Sequence, residues 1–153
     1  MQNEAAVRAY WEMFLNKTGR DKNTVYCFCG YMGPTEEIAN WLLELICSGR
    51  KRATTSCLLS YEKNNEPLPQ TGSLSIVTDW DGTPKCVIET TAVTILPFGE
   101  VTFDICSREG EDETLTSWQN THFPLFTEEG RREGYAFTWD TPVVFEDFQV
   151  IYQ

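Results

Sequence analysis

Residues 73–96 read SLSIVTDWDGTPKCVIETTAVTIL. Two runs rich in β-branched and apolar residues, 73–80 and 84–96, flank the pair Asp81-Gly82. Asp-Gly between two such runs is typical of a tight turn that joins antiparallel strands. The stretch therefore predicts a hairpin, and it places antiparallel strands at the centre of the fold.

Further strand signals lie on both sides of this hairpin. Residues 24–30 and 53–59 predict strands before it, and residues 141–153 predict a closing strand after it. Five or more strands with few helices predict an α+β protein, a small and mostly antiparallel β-barrel with peripheral helices. The 153 residues contain no repeat and no linker, which predicts one domain.

Helical patterns surround these strands. Apolar spacing predicts one helix over residues 4–16 and a second that Pro34 opens and Ser48-Gly49 ends. Residues 61–72 are rich in Asn, Pro and Gly and predict a loop. Residues 98–122 predict a short helix, an acidic loop and a further helix from Thr114 to His122. We expect residues 1–24 to form an N-terminal helix and loop, and residues 25–153 to form the barrel core.

Charge and hydropathy restrict the partners. The chain has 12 Lys and Arg against 23 Asp and Glu, a formal net charge of −11. Such a field repels polyanions, so we expect no extended nucleic-acid surface. No apolar run is long enough to cross a membrane, and the N-terminal residues are mixed in charge rather than secretory in pattern. These features predict a cytoplasmic protein, without a membrane partner, whose six cysteines are reduced thiols.

A basic segment follows the second predicted helix. Residues 48–56 read SGRKRATTS, with Lys51 between Arg50 and Arg52. A lysine can act as base for a threonine hydroxyl such as that of Thr54 if burial and nearby cations lower the lysine pKa. The chain must bend for this, because residues three apart on a regular strand face opposite sides. A solvated basic turn at the helix C-terminus is the alternative that the spacing alone favours.

Other candidate groups carry weaker signals. The acidic segment EGEDE (109–113) is typical of a solvated loop, although a carboxylate there could orient Lys51 or transfer protons. It would also raise the lysine pKa, so the two roles compete. His122, the only histidine, fits a half-buried residue near a helix end better than a catalytic group. Cys27 and Cys29 lack the spacing of a zinc pair, and no phosphate-binding loop is present, so no metal and no cofactor are expected.

Several motifs recur in one order from about Glu36 to the C-terminus. These motifs are GRKRATTS (49–56), TGSLSIV (71–77), CVIETTAVTILPF (86–98), EGEDETLTSW (109–118) and PVVFEDFQVIY (142–152). Together they resemble the ASCH domain, a relative of the PUA RNA-binding fold. The resemblance implies one ASCH domain with a PUA-like barrel, whose cleft holds the Gly-x-Lys-x-x-Thr segment.

The resemblance also implies roles for particular residues. Small bacterial ASCH proteins are amidohydrolases of acylated cytidine nucleosides and use a lysine, a threonine and a glutamate. These match Lys51, Thr54 and Glu111. In this interpretation Thr54 is the nucleophile, Lys51 accepts its proton, and Glu111 supports the proton transfers. We expect Arg50, Arg52, Thr55 and Ser56 to bind the ligand.

The chain departs from those small enzymes in two respects. They carry an arginine two residues after the threonine, where Ser56 stands here. This chain is also longer, with the N-terminal helix and the loop at 61–70. It is more similar to a larger bacterial branch with the pattern ATxS, in which some relatives are described as ribonucleases or RNA binders.

Three functions follow from these observations, and whether the protein is an enzyme stays open among them. The favoured one is amide hydrolysis on an acylated or modified nucleoside. The second is an RNA-binding or RNA-cleaving module that uses the same basic cleft. The third is a sensor that binds a nucleotide-like ligand without turnover. The expected partner is accordingly a small nucleoside or a short single-stranded RNA.

Overall fold

The computed structural model describes residues 3–153. Within these residues the chain forms five helices and five strands, joined in two places by a 3-10 turn. The elements in chain order are α1 (Glu4–Thr18), β1 (Phe28–Gly30), α2 (Glu36–Cys47), β2 (Ala53–Cys57), α3 (Leu58–Asn64), β3 (Leu74–Thr78), β4 (Pro84–Pro97), α4 (Phe103–Cys106), α5 (Leu115–Glu133) and β5 (Pro142–Tyr152).

The five strands form one curled mixed sheet, a half-barrel, in the order β1-β3-β4-β5-β2. Strand β1 runs parallel to β3, and every other pair is antiparallel. The prediction of an α+β protein with a mostly antiparallel sheet and peripheral helices is confirmed. Strand β2, which carries the threonines of the basic segment, lies at one edge of this sheet.

The central hairpin is the one that the sequence predicts. Strands β3 and β4 pair antiparallel with Ile76 opposite Val87, and Gly82 in the turn has φ of 83°. Strand β4 is long enough to pair with β3 over its first half and with β5 over most of its length. Its register against β5 shifts between Thr90 and Ala92, a bulge of the kind that bends a strand and curls a sheet.

Three helices bury apolar faces against the sheet. Phe14 of α1 packs in one buried group with Ile76 and Val87, and Trp118 of α5 packs in another with Val143. A third group joins α2 to strands β3, β4 and β5. Each such side chain contributes about 1.5–3 kcal/mol when fully buried. The buried group of Trp118 includes the last residue of β2, so α5 packs against that end of the edge strand.

Two sequence predictions of secondary structure are wrong. The strand expected to reach residue 59 ends at Cys57, and α3 then occupies the start of the predicted loop. Helix α5 continues to Glu133 instead of ending at His122, because its buried positions recur every four residues beyond that point. Pro124, which interrupts the helical pattern, lies on the exposed side of the helix, where the carbonyl that loses its partner is accessible to solvent.

Two properties bear on the environment of the protein. Within residues 3–153 no helix combines the length and hydropathy needed to cross a lipid bilayer. No disulfide joins any of the six cysteines in the described chain, and three of the thiols are buried in the core.

Candidate functional site

The basic segment turns sharply as it leaves α2. The Lys51 amide donates to the carbonyl of Leu45, and the Arg52 amide donates to the carbonyl of Arg108. These bonds turn the Lys51 side chain inward, so that only 2% of it is exposed, whereas Arg50 and Arg52 are exposed. The alternative of a wholly solvated basic turn is therefore wrong for Lys51 and right for its two neighbours.

The buried Lys51 ammonium is surrounded by oxygen acceptors. Its Nζ donates to the carbonyl of Ala53 at 2.8 Å, to Glu111 Oε2 at 2.5 Å and to Glu109 Oε1 at 3.4 Å. These bonds employ all three N–H donors of the ammonium. Two carboxylates around one buried cation give a compact charge cluster in a region of low dielectric constant.

Glu109 is the centre of this cluster. Its Oε2 accepts hydrogen bonds from Thr55 Oγ1 at 3.1 Å and from the Trp118 indole Nε1, and its Oε1 faces Lys51. Only 1% of the residue is exposed. A fully buried carboxylate is stable only when it is paired and hydrogen-bonded, as this one is.

Gly110 allows both neighbouring glutamates to reach Lys51. It has φ of +71°, and a Cβ at this position would lie 2.4 Å from the carbonyl oxygen of Arg50. Only glycine tolerates both the left-handed conformation and this close approach. In the sequence Glu109 is one of several acids in a predicted acidic loop, and this glycine is the one signal that distinguishes it.

Glu111 is less buried than Glu109 and closer to the solvent. Burial raises the pKa of its carboxyl above the ordinary value, the Lys51 ammonium opposes this rise, and the neighbouring Glu109 adds to it. The carboxyl therefore holds a proton to higher pH than an exposed glutamate does. A raised pKa of this kind suits a group that donates and accepts protons in a reaction.

His122 lies in the middle of α5 and is buried, not half-buried at a helix end as predicted. Its ring stacks on Trp118 with the centroids 4.6 Å apart, and its Nδ1 is 2.9 Å from the Trp118 carbonyl. A carbonyl only accepts, so Nδ1 carries the hydrogen. Nε2 faces Glu109 Oε2 at 3.7 Å. The ring therefore packs against the charge cluster at Glu109.

Three of these groups have the composition of a metal site. One donor atom each from Glu109, Glu111 and His122 lie within 4.8 Å of one another. The two carboxylates, however, already bind the Lys51 ammonium, and one of them also accepts from Thr55 and Trp118. The geometry therefore fits an internal ion pair better than a divalent metal.

Thr54 faces away from the charge cluster. Its neighbour Thr55 bonds to Glu109, and alternation along β2 turns Thr54 to the other face of the sheet. There it borders a cavity of about 520 Å³. Its hydroxyl has no hydrogen-bond partner among residues 3–153. The structure thus brings Lys51 and Glu111 into direct contact, and it places Thr54 beside the cavity without a hydrogen bond to either in the described chain.

The cavity borders every strand of the sheet or its immediate flank. Thr54 and Ser56 of β2, Glu146 of β5, Ile88 of β4 and Ser75 of β3 contribute to it. Helix α3 and the segment after it form the remaining wall. The volume is within the range of small-molecule sites, roughly 300–1,000 Å³.

The other predicted ligand residues have different positions. Ser56 borders both the large cavity and a smaller one of about 230 Å³, which Thr55 also borders. Arg50 and Arg52 border neither cavity and form no ion pair within residues 3–153. Both guanidinium groups are free to meet a ligand from the solvent side.

Comparison with known proteins identifies the family. The family model of the ASCH domain matches residues 28–152. The chain belongs to the ASCH domain family. This confirms the resemblance that the motifs indicate, and with it the PUA-like fold. The ASCH family is often linked to RNA binding.

Two solved structures are similar over nearly the whole length. The crystal structure of an ASCH domain from Lactobacillus crispatus JV V101 is 34% identical, with a TM-score of 0.89, and the match covers 99% of this chain and 97% of that one. Protein EF3133 from Enterococcus faecalis V583 is 32% identical, with a TM-score of 0.89 and coverages of 97% and 89%. No match was found among curated proteins.

Proposed function

We propose that this ASCH protein is an amidohydrolase that acts on an acylated or modified nucleoside through Thr54, Lys51 and Glu111. One observation carries the proposal: a buried Lys51–Glu111 pair lies at the edge strand that also presents the unpartnered Thr54 hydroxyl to a cavity of about 520 Å³. A hydroxyl nucleophile needs a proton acceptor, and the pair supplies one.

The buried pair can supply a neutral amine. Transfer of one proton from the Lys51 ammonium to the Glu111 carboxylate removes both charges, and burial penalises the charged forms. The raised pKa of Glu111 lowers the cost of this transfer. The neutral Lys51 amine then accepts the Thr54 proton once the substrate has brought the two groups within hydrogen-bond reach, a contact that often tightens only in the substrate complex.

The remaining steps conserve atoms and protons. The Thr54 oxygen attacks the acyl carbonyl carbon, the carbon–nitrogen bond breaks, and the leaving amine takes a proton from Lys51 or Glu111. Water then attacks the acyl ester on Thr54. This second step regenerates the hydroxyl and releases a carboxylic acid. Glu109 takes no proton in this scheme, and its fixed negative charge holds Lys51 in place.

The decisive test is hydrolysis of N4-acetylcytidine, followed by chromatography of the cytidine released. Thr54→Ala should lower kcat/KM by at least about 10²-fold, whereas Thr54→Ser should retain activity because the hydroxyl remains. Thr91→Ala, an exposed threonine of β4 outside the cavity, is the matched control. Lys51→Ala is a less clean test, because it leaves two buried carboxylates without their counter-ion.

A failure of the wild type to hydrolyse acylated nucleosides would remove the proposal, as would full activity in Thr54→Ala. The RNA function then becomes the leading alternative. It is favoured by the exposed Arg50 and Arg52 guanidinium groups and by the family's link to RNA. Phosphate contacts would give an affinity for short single-stranded RNA that falls steeply with salt, and a nucleoside cavity would not.

A further inference from the structure

Glu146 lies directly opposite Thr54 across the β2–β5 ladder. Residues opposite each other in an antiparallel pair point to the same face, with Cβ atoms roughly 4.5–5.5 Å apart. Both residues border the large cavity. Glu146 is therefore the nearest titratable neighbour that the sheet provides for the Thr54 hydroxyl on this face.

The Glu146 carboxyl is only half satisfied. Its Oε1 accepts a hydrogen bond from Thr90 Oγ1 at 2.6 Å, and its Oε2 has no hydrogen-bond partner within residues 3–153. It forms no ion pair in that part of the chain, and no described lysine or arginine borders the cavity. A mostly buried acid without a counter-ion is costly, and burial raises its pKa. Acids of this kind concentrate at binding sites.

The rest of the cavity restricts what this carboxyl can bind. The second acid at the cavity wall, Glu66, makes an anionic ligand group unfavourable there. The aromatic rings of Phe28 and Tyr61 also border the space and offer surfaces for a flat ring. A carboxyl oxygen beside the cavity accepts a hydrogen bond from an exocyclic amino group at the edge of a heterocyclic base in either protonation state, and the protonated form also donates to the adjacent ring nitrogen.

We propose that Glu146 determines ligand specificity, and that its carboxyl binds the heteroatom edge of an unphosphorylated nucleobase-type ring seated beside Thr54. The orientation toward Thr54 rests on the proposed hydrolase function. In this arrangement the edge of the base that carries an exocyclic amine faces the ladder position shared by Glu146 and Thr54. An acyl group on that amine is thereby presented to the hydroxyl.

The test measures binding of cytidine, which carries no acyl group to hydrolyse, by isothermal titration calorimetry. We expect Glu146→Ala to weaken cytidine binding about tenfold or more. Glu62→Ala is the matched control, because Glu62 is an exposed glutamate of α3 that does not border the cavity, and its cytidine affinity should stay within about twofold of the wild type. If Glu146→Ala melts early, Glu146→Leu fills the same volume without a buried charge and provides the same comparison.

The proposal is overturned if both Glu146 variants bind cytidine as tightly as the wild type, or if the folded wild type binds no cytidine. Hydrolysis of N4-acetylcytidine is measured separately. Cytidine binding that depends on Glu146, without any hydrolysis, would support this inference and remove the proposed hydrolase. Hydrolysis by the wild type, with unchanged cytidine binding in both Glu146 variants, would support the proposed hydrolase and remove this inference.

Discussion

Replacement of Glu109 tests whether the buried charge cluster stabilises the fold. Glu109→Ala removes one of the two carboxylates around the Lys51 ammonium. It also removes the acceptor of the Thr55 hydroxyl and of the Trp118 indole N–H. All of these donors stay in place in a region from which water is largely excluded. Hydrogen bonds to water therefore do not replace the ones that are lost.

The magnitude follows from these contacts. Removal of one partner from a buried ion pair costs about 3–5 kcal/mol, and an unsatisfied buried donor costs about 1–3 kcal/mol. The terms overlap, because Glu111 still binds Lys51, so we expect a loss of about 4 kcal/mol. Domains of this size unfold with about 5–15 kcal/mol. Glu109→Gln keeps the volume and one oxygen acceptor, and it should cost roughly half as much.

The assay is equilibrium unfolding in urea, followed by tryptophan fluorescence. With a slope of about 2 kcal/mol per molar urea, the midpoint of Glu109→Ala should fall by about 2 M. Glu128→Ala is the control, because it also removes a glutamate from a salt bridge. The Glu128–Arg131 pair is exposed, however, and contributes about 0.5 kcal/mol or less to the free energy of unfolding. Equal midpoints for the two variants would refute the argument that the cluster holds this part of the fold together.

Three further predictions follow from individual positions. Gly110→Ala should lower the melting temperature far more than Gly134→Ala. Both glycines have positive φ, but only at Gly110 would a Cβ meet the backbone, 2.4 Å from the Arg50 carbonyl oxygen. Equal losses of melting temperature would exclude this close contact as the cause. Glu146→Gln should alter the pH dependence of the free energy of unfolding. Because the pKa of Glu146 is raised, the folded state holds the proton more tightly than the unfolded state, and the wild type loses stability relative to the variant as pH rises above the ordinary value of 4.5. Equal changes of stability with pH in both proteins from pH 4.5 to 8 would contradict this. Pro124→Ala, on the exposed side of α5, should raise the melting temperature by about 2–4 °C, because it restores a helix hydrogen bond. An unchanged melting temperature would mean that the proline does not destabilise the helix.

The sequence predicted the elements that depend on local signals. The hairpin at Asp81-Gly82 and a helix that begins near Pro34 follow from local signals, and both are present, although Thr35 caps α2 and Pro34 precedes it. The extent of α5 could not be predicted in the same way. Its continuation past Pro124 depends on burial of Phe126 against Phe98, which is distant in the sequence, and this packing outweighs the local effect of the proline.

The candidate site was predicted in part for the same reason. Motif resemblance indicated Lys51 and Glu111, and these two side chains are in contact. It gave no reason to select Glu109, since an acidic loop does not reveal which carboxylate turns inward. Glu146 could not be predicted as a site residue from the sequence. It lies opposite Thr54 only because of the register between β2 and β5, which no local pattern encodes.

The position of β2 at the sheet edge bears on the proposed hydrolysis, which needs groups from the two faces of this strand. The Arg52 carbonyl accepts a hydrogen bond from the Phe148 amide of β5 and therefore points toward β5. Successive carbonyls of a strand point to opposite sides, so the Ala53 carbonyl points away from β5, to the edge where no strand follows. Lys51 binds that Ala53 carbonyl, and its buried ammonium therefore lies beside the unpaired edge of β2, next to the residue that precedes Thr54. No strand separates the ammonium from the cavity face. In an interior strand the same pairing would require a proton to cross a hydrogen-bonded ladder, whereas beyond β2 no further ladder lies between the two groups.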